Sequence, residues 1–111
     1  MFGMILKVSA QTVEEKIVYY AEKQNVNPQL ALAIAKCEGG LGIAKKNPNS
    51  SATGPFQMIR STWKSTTKRM GWVENTDVWD VHLNIVAGIW LLKTDGVRHW
   101  LESKHCWSKM V

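Results

Sequence analysis

The stretch "NPQLALAIAKCEGG", from Asn27 to Gly40, constrains the fold more than any other. Asn27 is a strong helix cap, and Pro28 suits the first helical position, where a missing N–H loses no bond. Leu30, Ala33, Ile34 and Cys37 follow the i, i+3, i+4, i+7 spacing of one helix face. Gly39-Gly40 stops the helix, because glycine accepts the left-handed conformation that closes it. A helix this apolar has to pack against others, and the sequence predicts them. Thr12 and Glu15 make a T-x-x-E capping box opening a helix to about Asn25, with Val13, Ile17 and Ala21 inward. Ser61 is expected to cap a helix running to Met70, with Gly71 as its stop. The longest helix is expected over about 80–94, with Val81, Ile85, Ile89 and Leu92 on its apolar face, and Gly96 ends it. A short helix near 97–103 and a Trp-rich tail follow. Strand-like alternation is absent, so the class is all-α.

The chain has 111 residues, which suits one compact domain with one core. We place that domain at 12–111, after an extension at 1–11. The opening "MFGMILKVSAQ" has an apolar run too short for a signal peptide and no basic leader. Val8-Ser9-Ala10 nevertheless has the small-residue pattern of an export cleavage site. The segment reads as a frayed extension or the remnant of an export signal. No stretch approaches the roughly 18 apolar residues of a membrane span, so no stable membrane insertion is expected. Fourteen Lys and Arg stand against nine Asp and Glu, a net charge of +5. Such an excess fits an anionic partner or simply a solvated surface. The basic residues are too scattered for a nucleic-acid footprint. The loop after Glu38 is also far longer than the 3–4-residue turn of a helix-turn-helix.

Glu38 is the conspicuous acid. It sits beside Cys37 on the core face, at the end of a helix, and from Gly39 to Val73 there is no other Asp or Glu. Burial and the negative end of the helix dipole both disfavour its charged form. A general acid working near neutral pH needs such a shift. The alternative is an exposed Glu fraying at a helix end. The following "SSATGPFQ" pairs a close-approach glycine, Gly54, with Gln57, whose amide both donates and accepts hydrogen bonds. Those groups suit neutral, hydroxyl-rich, N-acetylated sugars. Of the six tryptophans, Trp63 and Trp90 read as core, and Trp100 and Trp107 as cleft candidates. Ordinary glycosidases use two carboxylates. Glu74, Asp77 and Asp80 look like loop and cap residues, so a one-carboxylate mechanism is the simpler reading.

Three stretches in order, "LALAIAKCEGG", "NPNSSATGPFQMIRSTW" and "DVHLNIVAGIWLL", resemble the catalytic domain of SLT-type lytic transglycosylases, with a goose-type lysozyme fold. The resemblance covers most of 27–92. It implies Glu38 as catalytic acid/base and a cleft lined by Phe56 and Gln57. Ser51, Gly54 and Met58 belong to the same loop, and Asn84 faces or braces the cleft. The implied substrate is peptidoglycan, cut between N-acetylmuramic acid and N-acetylglucosamine to leave 1,6-anhydromuramyl ends. It implies no metal or cofactor, and a place outside the cytoplasm, in the periplasm or at the cell wall. Both a bacterial and a phage-encoded source fit. We expect a monomer. Two departures stand out: Gly39 replaces the Ser that usually follows the Glu, and a late Tyr-Asn pair is not visible. A hydrolytic muramidase and an inactive wall-binding module are therefore the competing readings.

Cys37 and Cys106 are too few for a disulfide scaffold and lack metal spacing. A bridge between them would close about 70 residues, worth ~4 kcal/mol on the chain-entropy model. It would also pin Trp107 next to Glu38. The other reading is two unrelated thiols. His82, His99 and His105 form no recognised metal spacing and read as surface or cap residues.

Overall fold

The computed structural model describes residues 11–41, 46–73 and 76–111. Residues 1–10 of the extension at 1–11 therefore lie outside the described residues. The described chain is helical, and its only extended pairings are isolated bridges joining Lys46 to Thr53 and Thr53 to Met58. The fold is all-α, as expected.

Helix α1 spans Val13–Lys23. Its capping box is formed: the Thr12 side chain accepts from the Glu15 amide at 3.1 Å, and Glu15 Oε1 accepts from the Thr12 amide at 2.9 Å. Ile17 and Ala21 are its buried residues. Helix α2 spans Pro28–Gly39, with Asn27 Oδ1 accepting from the amides of Gln29 and Leu30. It buries Ala31, Ala33, Ile34 and Ala35, and Gly40 closes it at φ 59°. Helix α3 spans Arg60–Arg69. The expected cap at Ser61 is not used. The helix starts two residues earlier, with Ile59 at the cap position, and the Arg60 amide donates to Ser51 Oγ at 2.8 Å. A serine nine residues upstream thus caps from the loop, a partner that local sequence does not reveal.

Helix α4 spans Val81–Asp95, capped by Asp80, whose side chain accepts from the Leu83 amide at 3.0 Å. Its buried residues include Asn84, Ile85, Ala87, Gly88, Ile89, Leu91 and Leu92. They surround the helix, as befits one packed on several sides. α1 packs on both α2 and α4. Phe56 lies directly on the α4 backbone: a Cβ on Gly88 would stand 2.6 Å from the Phe56 ring. After α4 comes a 3₁₀ segment, Gly96–Ser103, kinked at Trp100. It leads into α5, Lys104–Trp107, and a last 3₁₀ turn, Ser108–Met110.

The Cys37–Cys106 bridge is formed, with the two Cα atoms 6.0 Å apart. It fastens α5 to the last turn of α2, so the C-terminal segment folds back over the end of the helix that carries Glu38.

Candidate active site

Three elements meet around Glu38. Helix α2 presents it from its last turn, where the side chain is partly buried. The turn at 53–58 comes from the loop side. Gly54 and Gln57 both have positive φ there, 82° and 48°, and the Gln57 amide closes the turn on the Gly54 carbonyl at 3.0 Å. Asn84, fully buried on α4, ties this turn down. Its Oδ1 accepts from the Phe56 amide at 3.1 Å, and its Nδ2 donates to the Thr53 carbonyl at 3.0 Å and the Val78 carbonyl at 3.2 Å. Of the two roles open to Asn84, bracing is the one its hydrogen bonds perform.

Neither Gly54 nor Gly39 has room for a side chain: the Asn84 amide fills the space at one and the backbone of the turn the space at the other. A Cβ on Gly54 would meet Asn84 Nδ2 at 2.4 Å. A Cβ on Gly39 would meet the Gly54 carbonyl oxygen at 2.8 Å and that of Pro55 at 2.9 Å. Both approaches are closer than a real Cβ makes, so α2 and the turn are pressed together at glycine. The space next to Glu38 has no room for a serine in this arrangement.

The third element is the kinked segment. Ser103 Oγ hydrogen-bonds to Glu38 Oε2. The Trp100 indole N–H donates to the Phe56 carbonyl at 3.0 Å, joining the segment to the turn. The Trp107 indole N–H donates to the Trp100 carbonyl at 3.0 Å. Trp100 and Trp107 are 3% and 5% exposed. Sugar-stacking platforms need open faces, so the structure gives both indoles bracing positions, with Trp100 reaching the cleft wall and Trp107 beneath it.

The resulting cleft has a volume of about 490 Å³ and is lined in part by Glu38, Gln57, Met58 and Trp100. Glu38 and Gln57 thus share one cavity. Asn47, Asn49, Ser50 and Thr62 add amides and hydroxyls, and Ile59 adds an apolar side chain that is 43% exposed. Ser51 stands just behind, on the Arg60 amide. Gly54 and Phe56 are buried supports of the turn.

Sequence reasoning missed several residues here, Asn49, Ser50, Ile59 and Thr62 among them. Ser103 touches Glu38, while His99 and Glu102 line the cleft, and Asn47 faces them from the loop. One signal points to Ser103, His99 and Glu102. If Cys106 is bonded to Cys37, residues about one turn before it must lie near Glu38.

The electrostatics of Glu38 follow from these neighbours. Burial pushes its carboxyl above the ordinary carboxylate value. The Ser103 hydrogen bond pulls it down, and the Glu102 charge adds a smaller upward push. Among the described residues no salt bridge reaches it. The group is disposed to keep its proton.

The Transglycosylase SLT domain family matches residues 15–98, which include Glu38, the turn at 53–58 and Asn84. The chain belongs to the transglycosylase SLT family. No curated protein and no solved structure is similar enough to match. SLT membership implies glycan cleavage of the transglycosylase type, with peptidoglycan as the polymer bound. Trp100, Ser103, Cys106 and Trp107 fall beyond the SLT match, so the wall they build against Glu38 belongs to this chain's own C-terminal segment. No helix among the described residues is long and apolar enough to cross a membrane.

Proposed function

We propose that this SLT domain is a lytic transglycosylase. It breaks the β-1,4 bond between N-acetylmuramic acid and N-acetylglucosamine with Glu38 as its single acid/base. The observation that carries the reading is a partly buried carboxyl, unpaired by any cation among the described residues and raised above its ordinary value, in a cleft of hydrogen-bonding side chains. In the first step the Glu38 carboxyl gives its proton to the glycosidic oxygen as the C1–O bond breaks. An oxocarbenium-like muramyl ring forms and the N-acetylglucosamine side leaves as an alcohol. In the second step the Glu38 carboxylate takes the proton of the muramyl 6-hydroxyl, and that oxygen bonds to C1. A 1,6-anhydro ring results, Glu38 is again protonated, and no water is consumed.

Amide and hydroxyl groups of Asn47, Asn49, Gln57 and Thr62 suit the N-acetyl and hydroxyl groups of such a strand. Met58 and Ile59 offer apolar surface to its sugar faces. The work takes place on the wall polymer, so the protein acts in the periplasm or at the cell wall.

One observation favours a second reading. Glu102 lines the same cleft and is near enough for its charge to act on Glu38. A water held by Glu102 would make the enzyme a muramidase, with two carboxylates in the usual roles. Mass analysis of muropeptides after digestion separates the two. Anhydro ends are expected, and reducing ends with activity abolished in Glu102→Gln would establish hydrolysis instead. In either case Glu38→Gln is expected to cut strand cleavage by about 10²–10⁴-fold. Wall binding unchanged in that variant, with no cleavage by either protein, would leave only the wall-binding module.

A further inference from the structure

The Ser103 hydroxyl has two neighbours and one proton. Its Oγ contacts Glu38 Oε2, and it also lies 3.2 Å from the Trp100 carbonyl oxygen. A hydroxyl donates one hydrogen bond and accepts two. Ser103 therefore cannot donate to both oxygens at once. When Glu38 is ionised, the carboxylate is only an acceptor, and Ser103 must give it the proton. When Glu38 carries its proton on Oε1, Oε2 is still an acceptor, so Ser103 can go on donating to it and the acidic proton stays available for the glycosidic oxygen. One Ser103 hydrogen bond therefore serves both states, and the Trp100 carbonyl, which already receives the Trp107 indole N–H, does not need the serine proton.

We propose that Ser103 is the positioning residue of the acid/base Glu38, holding its carboxyl in one place through both halves of the reaction by donating to Oε2 in each. The inference rests on the reading of Glu38 as acid/base. The segment that carries Ser103 is well fixed. The Trp100 carbonyl also receives the Trp107 indole N–H, and the Trp100 indole is tied to the Phe56 carbonyl. The Cys37–Cys106 bridge fastens the segment three residues beyond Ser103 to the residue before Glu38. The hydroxyl cannot come from the next position along α2, because Gly39 has no room for a Cβ against Gly54 and Pro55. It comes instead from 65 residues away in the chain.

The other charged groups nearby do not take this role. Glu102 and His99 line the cleft from the same segment, and the His99 ring is engaged by Asp95 at 2.8 Å. Lys104 and His105 on α5 and Lys36 on α2 are exposed. Lys46, on the loop side, donates to the Asn47 and Ser50 carbonyls.

The test uses the full chain with Ser103→Ala, Ser103→Val and Ser103→Thr. Threonine keeps the hydroxyl, and valine has the shape of threonine without it, so folding and hydrogen bonding are read apart. Two measurements are made: the Glu38 carboxyl titration by carbon-13 NMR, and the rate of release of glycan fragments against pH. Removing a hydrogen bond to the charged form should move the Glu38 midpoint to higher pH in the Ala and Val variants. It should also lower kcat on the order of 10- to 100-fold with KM within about twofold. The Thr variant should keep the wild-type midpoint and most of the rate. A midpoint unmoved in Ala and Val, or lost equally in all three, overturns the proposal while leaving the Glu38 reading intact. Glu38→Gln cleaving like wild type would overturn that reading and, with it, the proposal.

Discussion

Asp95 and Glu38 are carboxylates in the same kind of place with opposite fates. Each stands in the last turn of a largely buried helix, α4 and α2, where the dipole is negative. The segment Gly96–Ser103 runs from one to the other. Asp95 is surrounded by donors. Arg69 grips both of its oxygens, at 2.9 and 2.8 Å, Arg98 adds a contact at 3.1 Å, and His99 one at 2.8 Å. Those bonds, Arg69's first, hold its carboxyl far below the ordinary range. Glu38 receives one neutral hydroxyl, and burial pushes it the other way. Helix position alone therefore says little about a carboxylate; the supply of cations decides. Asp95 is a fixed charge that anchors one end of the segment. Glu38, at the other end, is pushed towards its protonated form.

The sharpest way to break this contrast is to neutralise each acid in turn and measure cleavage. Glu38→Gln should lose about 10²–10⁴-fold in rate with its fold intact by circular dichroism. Asp95→Asn should keep the chemistry and lose far less, because His99 is the only Asp95 partner that faces the cleft. Equal losses in the two variants would mean that the Asp95 anchor, too, is part of the reacting machinery.

The next largest effect concerns what holds each end. Ion pairs hold the Asp95 end, and the Glu38 end is held by a covalent bridge closing a 69-residue separation. Replacing Cys37 and Cys106 together by serine should cost about 4 kcal/mol of unfolding free energy, read by urea melts. Hydrogen exchange should rise over 103–110 more than over 95–99. A uniform rise along the whole segment would show that the two ends are not separately anchored.

This division also explains what could be read from the sequence. α1, α2 and α4 were legible because their caps are local: Thr12 with Glu15, Asn27 with Pro28, and Asp80 all act within three residues. Glu38 was legible for the same reason, as a lone acid next to a glycine stop. α3 was placed two residues late because its first amide is capped by Ser51, across the loop. Trp100 and Trp107 were expected to face sugar, yet their indole N–H groups found carbonyl partners 44 and 7 residues away and drew the rings inward. The Asp95 cluster joins α4 to Arg69 across 26 residues, and no local pattern marks such a pairing. What lay hidden is the set of contacts between distant segments, and the bridge was the one long-range clue that two cysteines could give.

A smaller effect separates the two acids by pH. The Asp95 carboxyl is lower in the folded state than in the unfolded chain. Its contribution is therefore present above the ordinary aspartate value of about 3.9 and is lost as pH falls towards the folded value. Asp95→Asn should lower Tm near neutral pH, by less than removal of the bridge does, since Arg69 and Arg98 are exposed partners. The gap between the variant and wild type should narrow as melts are repeated at progressively lower pH below that value. A gap independent of pH would assign the loss to packing instead of charge.

For Glu38 the sign reverses, and the effect is the smallest. Its folded carboxyl is higher than the unfolded one, so ionisation favours unfolding, and stability drains away as pH rises from the ordinary glutamate value of about 4.3 through the folded value. Glu38→Gln cannot ionise. It should therefore be slightly more stable than wild type near neutral pH, and equal to it in acid, where both side chains are neutral. Paired melts at the two pH values measure this directly. A residue whose removal abolishes cleavage while raising Tm near neutral pH is held in place against the preference of the fold, whereas Asp95 is held in agreement with it. If the Gln variant were instead less stable at neutral pH, the Ser103 hydrogen bond would outweigh burial, and Glu38 would be a second anchor of the Asp95 kind.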